Sequence, residues 1–231
     1  MIHNYNDFIK TLLAAGFSMG GGNDEGIYAV VPWGWKETPP YETPVAWHTG
    51  DADTDPWEWR LRVLDDRDDI AYAKLFFKKS GFITKDWYPY FLAVRRGGDT
   101  FNKAPAPGEI GCFSRRILEV VKANGSLPVE AIKSLGGFTK GDKSGFDTAL
   151  TELQMKMYLT VCGKKRKLSR KGEEFGWSST VFCTVESFFD SAIFDKAATI
   201  GTEEARNAIR EQILKLNPSA QEKKISRFMR V

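Results

Sequence analysis

The sequence predicts an α+β protein in three segments, 1–108, 109–190 and 191–231. Three observations lead there. Charge changes sign along the chain: residues 1–110 hold 12 Lys/Arg against 16 Asp/Glu, and residues 111–231 hold 21 against 14. Six of the seven tryptophans lie between Trp33 and Trp87. Helical and strand-like patterns alternate early in the chain, whereas later three short helices precede two strands. At 231 residues, 42% hydrophobic and 27% charged, the chain can bury a sizeable core, and its composition excludes collagen, coiled coil and wholesale disorder.

The first segment reads as a Trp-rich α+β domain. Residues 6–15 form an amphipathic helix with Phe8, Ile9, Leu12 and Leu13 on one face and Gly16 at its end. Gly20–Gly22 then make a mobile connector; Glu25 breaks the spacing of a dinucleotide fingerprint. Residues 27–31 and 44–48 read as short strands around a Pro- and Gly-rich loop. Asp55, Pro56 and Glu58 stand as N-cap, first and third helical residues, so a helix runs from Pro56 to about Leu64. Asp51, Asp53 and Asp55 mimic the start of a calcium loop. Pro56 replaces the turn glycine, however, and Arg62 the closing Glu, so these carboxylates belong to loop and cap. Residues 70–77 form a strand, with a helix as competitor, and 85–96 a helix with Pro89 early in it. Residues 99–109, with Pro105 and Pro107, read as a linker.

The second segment has a clearer order. Residues 114–123 form a helix capped by Ser114, and Leu127-Pro128 opens a second short helix. Residues 142–155 form a third, with Phe146, Leu150 and Leu153 on one stripe and Ser144, Thr148, Thr151 and Met155 opposite. Two strands follow, joined by a basic turn at Lys164–Lys167. This is the winged-helix order, in which the third helix enters the major groove and the hairpin loop approaches phosphates. Lys164, Lys165, Arg166, Lys167, Arg170 and Lys171 place six bases in eight residues. With Lys143, Ser144, Thr148 and Thr151 they are the candidate DNA-contacting set. The alternative is a solvated loop on a packing module: the helix offers no Arg or Asn, only Gln154 at its flank, and Asp147 and Glu152 would repel phosphate. Residues 136–144 miss the phosphate-loop pattern by one inserted residue, Asp142. Residues 202–216 form a helix capped by Thr202, and a short basic segment closes the chain.

Trp47, Trp57, Trp59 and Trp87 could wall a pocket, the alternative being a Trp-rich core. His48, Glu58 and Asp55 are the acid–base candidates beside them. Two histidines and three cysteines, Cys112, Cys162 and Cys183, argue against a metal site and for reduced thiols; no cofactor is expected. The N-terminal ten residues lack a secretory pattern and no apolar run approaches the roughly 18 residues of a membrane span, so a cytoplasmic chain without membrane contact is expected.

The run from His48 through Arg96, together with residues 150–163 and 171–189, resembles the bacterial proteins called AlkZ-related, over roughly residues 45–190. These are distantly similar to winged-helix alkylpurine DNA glycosylases. The resemblance implies the winged-helix fold and a nucleic-acid surface. It does not carry the activity: the glycosylases share a Gln-x-Gln or Gln-x-Asp motif, and none of Gln154, Gln212 and Gln221 stands in one. The expected function is therefore a non-catalytic DNA-binding protein. Its rivals are a lesion-processing enzyme using the Trp-rich cleft and a protein-interaction module that touches no nucleic acid.

Overall fold

The structure, a computed structural model, describes residues 1–97, 105–106, 108–168 and 174–230, and only the backbone of 167, 168 and 174–177. Much of the expected linker at 99–109 lies outside the described residues. In chain order the elements are α1 (Tyr5–Ala15), β1 (Phe17–Met19), α2 (Pro56–Asp66), β2 (Ile70–Phe76), β3 (Lys79–Thr84) and α3 (Tyr88–Arg96). Then come α4 (Cys112–Asn124), β4 (Leu127–Pro128), α5 (Val129–Leu135), α6 (Lys143–Met155), β5 (Leu159–Leu168) and β6 (Glu174–Thr184). Four helices finish the chain: α7 (Val185–Phe188), α8 (Ser191–Thr199), α9 (Thr202–Leu216) and α10 (Glu222–Met229). The protein is α+β.

The strands form one antiparallel sheet in the order β1-β3-β2-β5-β6-β4. The pair Tyr72–Val161 joins β2 to β5, so the sheet runs through both the 1–108 and 109–190 segments. Side chains alternate across a strand, and both faces of this one are covered. Ile70, Tyr72, Phe82, Val161 and Phe182 pack with α1, α2 and α4–α6. Ala71, Ala73, Leu75 and Ile83 pack with α3 and α8–α10. Burial on both faces explains why Ile70–Phe76 is nearly continuous in apolar residues, Lys74 being its one exposed position.

Several local expectations change in this context. Residues 27–31 and 44–48 are irregular, not strands. Isolated bonds tie the first to β1: Met19 N–H donates to Tyr28 O (2.9 Å) and Val30 N–H to Ser18 Oγ (2.9 Å). Gly20–Gly22 are packed rather than open. A Cβ on Gly21 would lie 2.2 Å from Cη2 of Trp47, and Gly20 donates to Ser80 O (2.8 Å). Lys164–Lys167 lie within β5 instead of a turn. Ser114 sits inside α4, whose cap is Gly111, and Thr202 sits inside α9, whose cap is Gly201. Leu13 is exposed, whereas Met155 is buried.

Buried phenols make stability depend on alkaline pH. Burial, reinforced by Asp66, pushes Tyr5 up to about 12; burial also raises Tyr88, and burial with the Glu109 carboxylate raises Tyr158. A pKa raised on folding adds stability that is complete below the unfolded value, near 10, and is lost as pH climbs through the folded value. Burial lowers Arg95 to about 10, which acts oppositely over the same range. Three phenols outweigh one guanidinium, so the urea midpoint should fall between pH 10 and 12, with phenolate absorbance rising alongside unfolding. Full phenolate titration near pH 10 at constant midpoint would contradict this.

Candidate nucleic-acid interface

The α6 helix turns Phe146, Leu150 and Leu153 into the core and leaves Lys143, Ser144, Asp147 and Thr148 exposed. Thr151 is nearly buried, and its Oγ1 donates to Asp147 O (2.8 Å). Gln154 is buried and used at both ends: Nε2 donates to Leu150 O (2.9 Å), and Oε1 accepts from the Lys74 backbone (2.9 Å). It locks α6 to β2 and offers nothing to a base edge.

Between the outer face of α6 and the β2–β3 hairpin lies an open cleft of about 860 Å³. Lys74 and Lys78 face Lys143 and Thr148 across it. A second cleft, about 440 Å³, shares Lys74, Asp147 and Thr151 with the first and runs towards Trp57 and Arg60 of α2. Among the described residues Lys74, Lys78 and Lys143 form no ion pair. Of the acids on this side, Asp147 is exposed, whereas Glu152 is neutralised by Lys156 (3.0 Å). Burial works to raise the Glu152 carboxyl, but the Ser114 hydroxyl and Lys156 outweigh it and hold it below the usual range.

Lys78 carries a backbone cost. Phe76 pairs with Lys79, so Phe77 and Lys78 form a two-residue turn, both at positive φ (51° and 63°). Such turns suit Asn-Gly, and a side chain in this region costs about 1 kcal/mol. Lys78→Gly should therefore raise stability by about 1 kcal/mol in urea unfolding; a loss would show that the Lys78 side chain supports the fold.

Lys164, Lys165 and Arg166 are exposed on β5, with Lys164 opposite Thr180 and Lys165 opposite Ser179. Lys164 and Lys165 have no carboxylate partner among the described residues. Lys167 is described by its backbone alone, and Arg170 and Lys171 lie outside the described residues. Cys162 stands at the bulge between Val161 and Gly163; the Cys183 thiol beside it draws its pKa down to about 7.

The four candidate tryptophans do not wall one pocket. Trp59 is 1% exposed and packs against Phe8 (5.1 Å between ring centres) in the core. Trp87 packs edge-on against Phe17 (5.4 Å) and beside Tyr90 (5.3 Å). Only Trp47 and Trp57 meet, around His48, with ring centres 6.4 Å and 4.9 Å away. Exposed Trp35, at 6.1 Å from His48, completes this surface group, and the Arg60 guanidinium stacks 3.6 Å over Trp57. Asp55 is fully buried, its carboxylate accepting from the backbone N–H of His48 (3.0 Å), Gly50 (2.9 Å) and Trp57 (2.8 Å). That makes it a loop clamp in place of a proton carrier. Its own N–H donates to Asp51 O, so the reciprocal bond from Glu58 is not formed, and Glu58 sits half-buried in the first turn of α2. No group of three or more His, Cys, Asp or Glu placed to hold a metal occurs among the described residues, and no described helix is long and apolar enough to cross a membrane.

Lys74, Lys78 and Arg60 were not among the sequence candidates. A signal existed for Lys74: it is the one charge in the apolar run Ile70–Phe77, hence the one position of β2 facing solvent.

Fold and site together define an α+β protein with a cation-lined cleft beside an exposed helix face. A family model described as AlkZ related matches residues 2–230, and the chain belongs to that family. The match spans nearly the whole chain, well beyond residues 45–190. No curated protein and no solved structure matches it.

Proposed function

We propose that this AlkZ-related protein is a non-catalytic, cytoplasmic DNA-binding protein in which residues 112–184 act as a winged-helix unit. The helix–short strand–helix–helix–hairpin order supports the unit, with α6 in the place of the recognition helix. One observation carries the reading: the exposed face of α6 opens on a cleft whose opposite wall supplies Lys74 and Lys78, which form no ion pair among the described residues. Lysines that bind no carboxylate can release counterions from DNA. The α6 face presents Lys143, Ser144 and Thr148, which suit phosphate oxygens better than base edges. Contact is therefore with the backbone and largely indifferent to sequence. No catalytic residue is assigned: the glycosylase glutamine motif is missing and Asp55 is committed to its loop.

Titration of a labelled, undamaged duplex by fluorescence anisotropy tests this. Dissociation constants on the order of 10⁻⁴–10⁻⁶ M, weakening as salt rises, are expected. Replacing both Lys164 and Lys165 by alanine should weaken binding and make the salt slope shallower by about 2. Absence of binding at low salt overturns the reading and leaves the protein-interaction alternative. Release of a modified base from alkylated duplex, lost in His48→Ala or Glu58→Gln, would overturn the non-catalytic part.

A further inference from the structure

The basic chain end, Glu222 to Arg230, is a built part of the surface. In α10, Ile225, Phe228 and Met229 are buried, and Phe228 stacks on Phe76 with ring centres 3.9 Å apart. Arg95 of α3 fastens the end of this helix to the end of α6. Its guanidinium donates to Phe228 O (3.0 Å), Met229 O (3.1 Å) and Met155 O (3.0 Å). The outward side of α10 then carries Lys223 and Arg227, and Arg230 follows at its C-cap, all three exposed.

These three cations and Lys78 line a recess of about 590 Å³, with Phe77 and Met155 as its apolar floor. Among the described residues no carboxylate lines it. The nearby acids are engaged elsewhere, Glu222 with Arg210 and Glu25 with Lys224 (2.6 Å) and Lys79 (3.1 Å). Lys223, Arg227 and Arg230 make no ion pair among the described residues. Lys78 and Met155 also line the α6 cleft, so recess and cleft form one trough. Cations spaced along a trough fit a polymer of phosphates, and apolar floor atoms fit the sugar faces between them. A flat anionic bilayer would reach only the rim of such a concavity.

We propose that α10 extends the DNA interface, with Lys223, Arg227 and Arg230 joining Lys78 to seat the backbone phosphates of a strand leaving the α6 cleft. This rests on the DNA-binding reading above, and the test separates the two. The full-length chain with Lys223→Ala, Arg227→Ala and Arg230→Ala combined is compared with wild type on the same undamaged duplex across a salt series. A control of equal charge change combines Lys10→Ala, Lys122→Ala and Lys215→Ala, three exposed lysines outside the trough. The trough variant should bind more weakly, with a log K against log salt slope shallower by about 2 to 3, while the control keeps the wild-type slope. Amide exchange of α10 should be unchanged, showing that charge and not undocking is read. An unchanged slope in the trough variant overturns the proposal while leaving duplex binding intact. Equal loss in the control overturns it too, since net charge would then be sufficient. So does loss of binding to phosphatidylserine vesicles without loss on duplex. Wild type that fails to bind duplex at low salt overturns both readings.

Discussion

Phe228→Ala should cost about 4 kcal/mol of folding stability, the range for deleting a fully buried aromatic ring. Phe228 is 0% exposed; its ring lies among Phe76, Phe17 and Phe91, at 3.9, 5.6 and 6.0 Å between centres. The cavity left behind is walled by the sheet and by α3, elements that cannot collapse without shifting the whole layer. The loss should therefore appear as a lower midpoint of one cooperative urea transition with an unchanged slope. Because α10 and its C-cap carry Lys223, Arg227 and Arg230, duplex affinity should fall with it. An unchanged midpoint, with fast amide exchange confined to residues 222–229, would instead make α10 a separately opening unit.

Asp55→Ala should cost about 3 kcal/mol. The carboxylate accepts three backbone N–H groups, two from the preceding loop and one from the first turn of α2. Each unpaired donor left behind costs about 1 kcal/mol or more, and loss of an N-cap alone costs about 1 kcal/mol. Asp55→Asn keeps an acceptor for the cap and should recover part of the loss. The effect is also positional. His48 holds a positive φ of 62°, stabilised by the bond from its N–H to Asp55, and it brings Trp47 and Trp57 together. Alanine should thus disperse this aromatic surface and change tryptophan fluorescence before unfolding. A loss below about 1 kcal/mol would show that water replaces the clamp.

The α2 helix shows how much of the site could be read in advance. Asp55 as cap and Pro56 as first helical residue are local signals, and both hold. Residues two apart on a helix point about 200° apart, so Trp57 and Trp59 could not share a pocket. One is 43% exposed and the other 1%. The hairpin at Lys164 was legible as two strands, but its length was not, because cross-strand pairing keeps the lysines in β5 and alternation of side chains does not say where pairing stops.

Chain-local chemistry determined the start of α2, the apolar stripe of α6, the nearly unbroken apolar run of β2, and the absence of the glycosylase glutamine motif. These depend on neighbours within a turn or a strand pair, so the residues alone carry them. Tertiary structure decided the rest. It joined the two halves through Tyr72 and Val161, set Lys74 and Lys78 opposite α6, and brought the chain end to Arg95. Such neighbours are separated by up to 134 residues, and only packing of both sheet faces, driven by burial of apolar surface, places them together.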